Sequence, residues 1–339
     1  MSGLRWLRGA KLRPTYLTFG DAAPLARNLV FLSGLRGLAE RIAIAVLSRV
    51  GPSRSVEPGA LSDAWSEVKA ALDASAALLL HTGWYKETLF VGPVRTRDGA
   101  TLFVKLFAET SAAAAEAERA QAARTVVEPF FRAAAVQRVS GRLVAYDLIE
   151  HGRATLDPAQ TVAAVAAMAA AALDRATELR PARDAVDLDL LGPRLAAFGL
   201  PAVPGFLAED VAISLAPCHG DCTPWNIFAD QAGRACLIDY ERAGVDAPFA
   251  DLFHHRIQPQ VVRGRHEAVA PMLDELSRLT GRNRDDMARW LGLYLAGQLQ
   301  LDLALWLDEG RRHDQLRDLI TGKAAMLAEA AAIVEGSAG

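Results

Sequence analysis

The chain has 339 residues and a mass of 36.3 kDa, enough for about two domains. Apolar residues make up 51% and charged residues 23%, which excludes wholesale disorder, and a formal net charge of -3 argues against a nucleic-acid binder. Three cysteines, 218, 222 and 236, cannot build a disulfide framework, so the interior reads as reduced and the chain as cytoplasmic.

Usage within these classes is uneven. There are 32 Arg but five Lys (11, 69, 86, 105 and 323) and only three Asn (28, 226 and 283). Each Lys and Asn retained is therefore informative. Residues 1–60 carry nine Lys and Arg against three Asp and Glu, a balance of +6 that leaves -9 for the rest. A spanning helix needs about 20 apolar residues. The longest apolar run, Val162–Leu173, is mostly Ala and too short, and no export signal is legible at the N-terminus.

Residues 1–60 form a basic, apolar leader. Leu29, Leu32, Leu35, Leu38, Ile42 and Val46 recur at helical spacing, predicting an amphipathic helix that Gly51-Pro52 stops. Three readings of the leader stand open: a helix on an anionic membrane surface, a segment packed on the following β lobe, or a dimer contact. Ser62 reads as the N-cap of a helix reaching about Ala74.

The period then changes. Ala77–Leu80, Thr88–Arg95 and Thr101–Phe107 read as strands, the last two joined by the Arg97-Asp98-Gly99 turn. An Ala-rich helix over 111–127 follows, and Val136–Val139 with Leu143–Ile149 reads as a second hairpin. From residue 151 the chain reads as almost wholly helical. Asp157-Pro158 opens a helix to about Leu179, and further helices are expected over 206–213, 265–280, 283–307 and 312–335. The exception is 215–253, dense in Gly, Asp, His and Pro, with short strands at Asn226–Ala229 and Ala235–Ile238. The expected fold class is α+β and bilobal. A leader (1–60) precedes a small antiparallel β lobe (61–150) and a larger, mainly helical lobe (151–339).

The polar insertion carries chemistry. It reads Cys218-His219-Gly220-Asp221-Cys222-Thr223-Pro224-Trp225-Asn226, and Ile238-Asp239 follows thirteen residues past Asn226. Protein kinases use His-Arg-Asp, four residues, Asn, then a separate metal-binding Asp. With His-Gly-Asp in that frame, the chain resembles the aminoglycoside phosphotransferase and choline kinase-like family, small-molecule kinases with a protein-kinase-like fold. The resemblance spans about 61–330 and is strongest over 215–253.

The resemblance implies ATP and Mg²⁺ as cofactors and a small hydroxylated molecule as acceptor. Asp221 would accept the hydroxyl proton, and Asn226 and Asp239 would offer hard oxygens to Mg²⁺. His219 and Asp251 would support the catalytic loop. Lys105, in the third strand, would contact the α- and β-phosphates and pair with a helix Glu. Glu118 is preferred for that role over Glu116, since the two lie on different helix faces. The phosphate loop would fall at 81–88 around Gly83, although it lacks the protein-kinase G-x-G-x-x-G. Leu148–Glu150 would be the adenine hinge.

The same stretch of residues admits other chemistry. Cys218, His219 and Cys222 lack the further ligands of a structural zinc site, and neighbouring carboxylates disfavour a thiolate. Trp290, Tyr294, Trp306, Asp302, Asp308 and Glu309 read either as a wall for a cationic acceptor or as core plus solvated face. Two other functions stay open: a membrane-associated kinase of a lipid-linked or envelope glycan, and a nucleotide-binding pseudokinase.

Overall fold

The computed structural model describes residues 5–8, 15–28, 60–81, 88–176, 178–181, 185–209 and 212–336. The predicted amphipathic helix over 29–46 and the phosphate loop around Gly83 lie outside them. The chain divides into two compact units, one comprising residues 1–121, 133–155 and 228–236, the other 122–132, 156–227 and 237–339.

The first unit is built on a seven-stranded antiparallel sheet. Its strands are β1 (Arg5–Arg8), β2 (Thr15–Phe19), β3 (Ala74–His81), β4 (Thr88–Thr96), β5 (Thr101–Phe107), β7 (Val136–Arg138) and β8 (Leu143–Asp147), in the order β1-β2-β3-β4-β5-β8-β7. Three short strands form a separate sheet: a hairpin of β11 (Ile227–Ala229) and β12 (Ala235–Leu237), with β6 (Arg132–Ala133) paired to β12. The β4–β5 hairpin turns at Gly99, whose φ of 93° needs a residue without Cβ strain.

Alternation sends the side chains of β3 to two faces, and a register shift between Ala74 and Ala76 puts Ala74 on the same face as Ala77. Ala74, Ala77 and Leu79 pack with Trp65 and Val68 of α1 (Ala60–Leu72) and with Phe90, Val104 and Leu106. Ala76 and Leu78 face the other way, against Ala22, Leu25 and Ala26 of a short 3₁₀ turn (Ala23–Asn28). This explains the unbroken apolar run Ala76–Leu80, because a strand buried on both faces loses its alternation. The described part of the leader is thus neither one helix nor an appendage. It supplies two strands and a covering turn to the sheet.

The second unit is mainly helical. Its helices are α3 (Pro158–Asp174), α4 (Leu188–Phe198), α5 (Ala250–Val261), α6 (Val269–Thr280), α7 (Arg284–Leu307) and α8 (Asp314–Gly336). Asp157 caps α3, its Oδ1 accepting from the Ala159 N–H at 2.9 Å, with Pro158 at the first helical position. Asn283, one of the three Asn, caps α7 through the Asp285 N–H at 2.7 Å. Buried Leu291, Leu295 and Leu299 of α7 and Ile320 and Leu327 of α8 belong to the core.

Two expectations give way here. The helix over 206–213 is a 3₁₀ turn, Gly205–Ala208, followed by strand β10 (Ala212–Cys218). The first helix of this unit ends at Asp174, and β9 (Glu178–Pro181) pairs with β10, as does β13 (Gly244–Asp246). Strand pairing settles β10, whose Ile213 and Leu215 alternate inward. Helix α5 carries Pro259 and a run of His, Arg and Gln, which hide a helical period. Among the described residues no helix is long and apolar enough to cross a membrane.

Candidate active site

In the first unit, alternation along β5 buries Val104 and Leu106 under α1 and turns Lys105 to the opposite face. There α2 (Thr110–Val127) presents Glu116, whose Oε1 accepts from Lys105 Nζ at 3.0 Å. The side chains of this pair are only 8% and 1% exposed. Register adds another donor. Lys105 pairs with Val144 and Phe103 with Tyr146, so Tyr146 lies diagonally across from Lys105 on the same face. Tyr146 Oη donates to the same Glu116 oxygen at 2.5 Å, and an Arg119 nitrogen lies 3.5 Å from Oε2.

Glu118 is therefore corrected. It is exposed, and Glu116 is the partner of Lys105. Two positions along a helix turn the side chain by about 200°, so only one of the two could face the sheet. Of the expected hinge, Leu148 and Glu150 are half-buried and Ile149 is buried. The Glu150 carboxylate accepts from Gln231 Nε2, the Gly152 N–H donates to Ala229 O at 2.7 Å, and the His151 ring stacks on Phe228 at 3.6 Å.

In the second unit, residues 219–226 leave the end of β10 as a loop. Gly220 has a φ of 81°, and a Cβ there would stand 2.0 Å from the Arg242 carbonyl oxygen, so the His-Gly-Asp glycine is a steric requirement. The first turn of α5 clamps this loop residue by residue. Asp251 accepts from the His219 and Gly220 N–H groups at 2.7 and 2.9 Å. His254 Nε2 lies 3.0 Å from Asp221 Oδ1, and His255 Nδ1 lies 3.2 Å from the Cys222 carbonyl oxygen. Positions 251, 254 and 255 share one helix face, which is why one turn reaches four consecutive loop residues. Phe249, buried at a φ of 61° and stacked on Trp290 at 5.5 Å, sets the start of that helix.

Asp221 keeps a partly open side chain, 21% exposed. Burial alone would raise its carboxyl. The His254 hydrogen bond and the nearby Arg242 charge help outweigh burial and hold it below the usual carboxylate range. Burial pushes Asp251 up to about 6 and Asp246 up to about 6, and pushes His219 down to about 4. The His219 ring, tilted on Tyr240 at 5.0 Å, takes the Asp221 N–H on Nδ1 at 3.3 Å. Asn226 Nδ2 donates to the Asp221 carbonyl at 2.9 Å, and the Ile238 N–H donates to the Asn226 carbonyl at 3.1 Å. The loop thus gathers His219, Asp221, Asn226, Asp239 and Asp251 around one backbone.

The donor set fits a magnesium ion of the kind that phosphates complete. With its Nδ2 spent on Asp221, Asn226 has its amide oxygen as acceptor, and half-buried Asp239, held at a φ of 73°, adds a carboxylate. Among the described residues no group of three His, Cys, Asp or Glu could hold a metal by itself. All three cysteines are buried, and burial pushes the Cys218 and Cys222 thiols well up, away from ligand or nucleophile chemistry.

The aromatic and acidic residues of the C-terminal helices are already engaged. Asp308 pairs with Arg194, Glu309 with Arg311 at 2.7 Å and Asp302 with Lys323 at 2.8 Å. Trp306 packs edge-on against Phe198 and Trp290 on Phe249. They form core and ion pairs. Sequence reasoning missed His254, His255 and Tyr146; two adjacent His three and four residues beyond Asp251 were the signal available for the first two.

No family model matches the chain, and no curated protein does. Solved structures do share its fold. A provisionally named aminoglycoside phosphotransferase from Ralstonia eutropha JMP134 aligns with a TM-score of 0.51 at 14% identity, over 81% of this chain and 98% of the other. A macrolide 2′-phosphotransferase from Brachybacterium faecium gives 0.48 at 16% identity over 78% and 98%. A choline kinase from Streptococcus pneumoniae gives 0.48 at 14% identity over 80% and 99%. The first of these alignments defines the class at the level of fold: an α+β, kinase-like phosphotransferase fold. It is the fold of the family that the His-Gly-Asp motif resembles.

Proposed function

We propose that this chain is an ATP- and Mg²⁺-dependent O-phosphotransferase that moves the γ-phosphoryl group of ATP to a hydroxyl of a small molecule: an aminoglycoside, an amino alcohol or a sugar. The observation that carries the reading is the state of Asp221. Its carboxylate is kept ionised and partly open on a loop clamped at four consecutive residues, with Asn226 anchored to the same backbone.

In this reading Asp221 accepts the proton of the acceptor hydroxyl as its oxygen bonds to the γ-phosphorus and the bond to ADP breaks. Lys105, fixed by Glu116, contacts the α- and β-phosphates. Asn226 and Asp239 hold Mg²⁺, which neutralises phosphate charge when bound. His219 and Asp251 keep the loop in shape, and Leu148 to Glu150 meet adenine, with Gly83 near the phosphates.

The test is ADP release by the full chain across a panel of hydroxylated acceptors, with Asp221→Asn beside the wild type. The expected result is acceptor-dependent turnover that falls by about 10²- to 10⁴-fold in the variant. Nucleotide binding without acceptor-dependent turnover in the wild type would make the chain a binding module.

A further inference from the structure

The core of the second unit holds a polar seam that phosphoryl transfer as described leaves unused. Tyr294, Gln298 and Asp302 stand four residues apart along α7 and so share one stripe. Tyr294 Oη lies 2.9 Å from His254 Nδ1. Gln298 Oε1 and Asp302 Oδ2 accept from Lys323 Nζ at 3.3 and 2.8 Å, and Lys323 is buried to 1% exposure. Buried polar groups cost folding energy even when satisfied, so apolar residues of similar volume would serve a purely structural core at least as well.

Chemistry fixes how the seam is wired. A carboxylate only accepts, so His254 donates from Nε2 to Asp221 Oδ1. In the neutral ring Nδ1 is then an acceptor, and the Tyr294 hydroxyl donates to it. Burial raises the Tyr294 hydroxyl well above its ordinary value and keeps it a donor. The titratable and charged groups that face His254 are Asp221, Tyr294, Lys323, Arg242, His255 and His219. Burial lowers the His254 value, the Lys323 and Arg242 charges push the same way, and Asp221 opposes them. His255 is wired oppositely, since a carbonyl accepts and its Nδ1 must therefore donate to Cys222. Among the described residues Asp221 Oδ2 has no hydrogen-bond partner.

We infer that His254 is a positioning residue for the proposed phosphotransferase reaction: with the neutral Nε2–H tautomer set by the Asp221 carboxylate and its ring held from behind by Tyr294, it occupies Asp221 Oδ1 and leaves Oδ2 to receive the acceptor hydroxyl. The inference rests on the reading of Asp221 as base. His254 does not take the proton, because its Nε2 already carries one. It fixes which carboxylate oxygen is available and in what orientation.

Two measurements test this. Long-range ¹H–¹⁵N spectra of the full chain at neutral pH, with His254→Gln and His255→Gln assigning the rings, should show opposite tautomers: Nε2–H at 254 and Nδ1–H at 255. Tyr294→Phe should keep the Nε2–H at 254, since the Asp221 carboxylate still only accepts. An imidazolium or an Nδ1–H ring at 254 in the wild type would overturn the inference, whether or not any acceptor is known. In kinetics, His254→Ala should lower kcat about 10- to 100-fold with both KM values within about twofold, the pattern of a misaligned group. His254→Gln, which carries an amide N–H near the Nε2 position, should restore most of that loss. An unchanged kcat in His254→Ala, or a loss that Gln does not restore in a folded variant, would sink the positioning role. A wild type without turnover counts against the phosphotransferase reading instead, and the tautomer pattern then decides the wiring by itself.

Discussion

The two units hold their key carboxylates differently. Glu116 is closed in: Lys105 and Tyr146 converge on one oxygen and Arg119 approaches the other, and its side chain is 1% exposed. Asp221 has one oxygen held by His254, and its side chain is 21% exposed. The contrast fits the roles proposed for the two charges. A carboxylate that only fixes a lysine gains from every donor it collects. In the proposed reaction Asp221 receives a proton and must keep a lone pair open, and its support comes from the loop backbone that Asp251 and His255 clamp.

The largest test of this contrast is to break the closed pair. Glu116→Ala strands the buried Lys105 and is expected to destabilise the protein by about 3–5 kcal/mol in urea denaturation. Glu118→Ala, at an exposed position, should stay within about 0.5 kcal/mol of the wild type. Equal effects of the two would remove Glu116 from its place.

Next is Asp251, whose carboxyl rises from 3.8 to about 6 on folding. A raised acid stabilises the fold most below its unfolded value and loses that contribution as pH rises through its folded value. Asp251 therefore disfavours the fold by up to about 3 kcal/mol more at pH 7 than at pH 3. Buried His219 works in the opposite direction over much of the same window, so the wild-type curve hides the effect. The difference between Asp251→Asn and wild type should reveal it: the variant gains relative stability as pH rises through about 4 to 6. A pH-independent difference, measured by denaturation at several pH values, would mean that Asp251 is not held as described.

The smallest effect is that of Tyr146→Phe, which removes one of the donors to Glu116. About 1–2 kcal/mol should be lost, with a modest rise in nucleotide KM and little change in kcat. A fall in kcat alone would give Tyr146 a role in the chemical step and blur the contrast.

Local signals carried much of this. The Arg97-Asp98-Gly99 turn, Lys105 in an apolar strand, the Asp157-Pro158 helix start and the spacing of Asp221, Asn226 and Asp239 are all short-range patterns. The scarcity of Lys and Asn also pointed well: Lys105 and Lys323 are both buried in ion pairs, Asn226 sits in the loop and Asn283 caps α7. Less was legible where distant segments meet. Leu25 covers Leu78 from 53 positions away in sequence, and no periodicity in residues 1–28 announces that.

By itself, then, the sequence determined the fold class and the chemical identity of the loop, because spacing along a chain is conserved in whatever structure it adopts. Only the tertiary structure decided that Glu116 rather than Glu118 meets Lys105, that β1 and β2 complete the sheet, and that His254 and Tyr294 stand behind Asp221. Those choices depend on which faces of separate elements are brought together, and burial assigns them only after the chain has closed on itself.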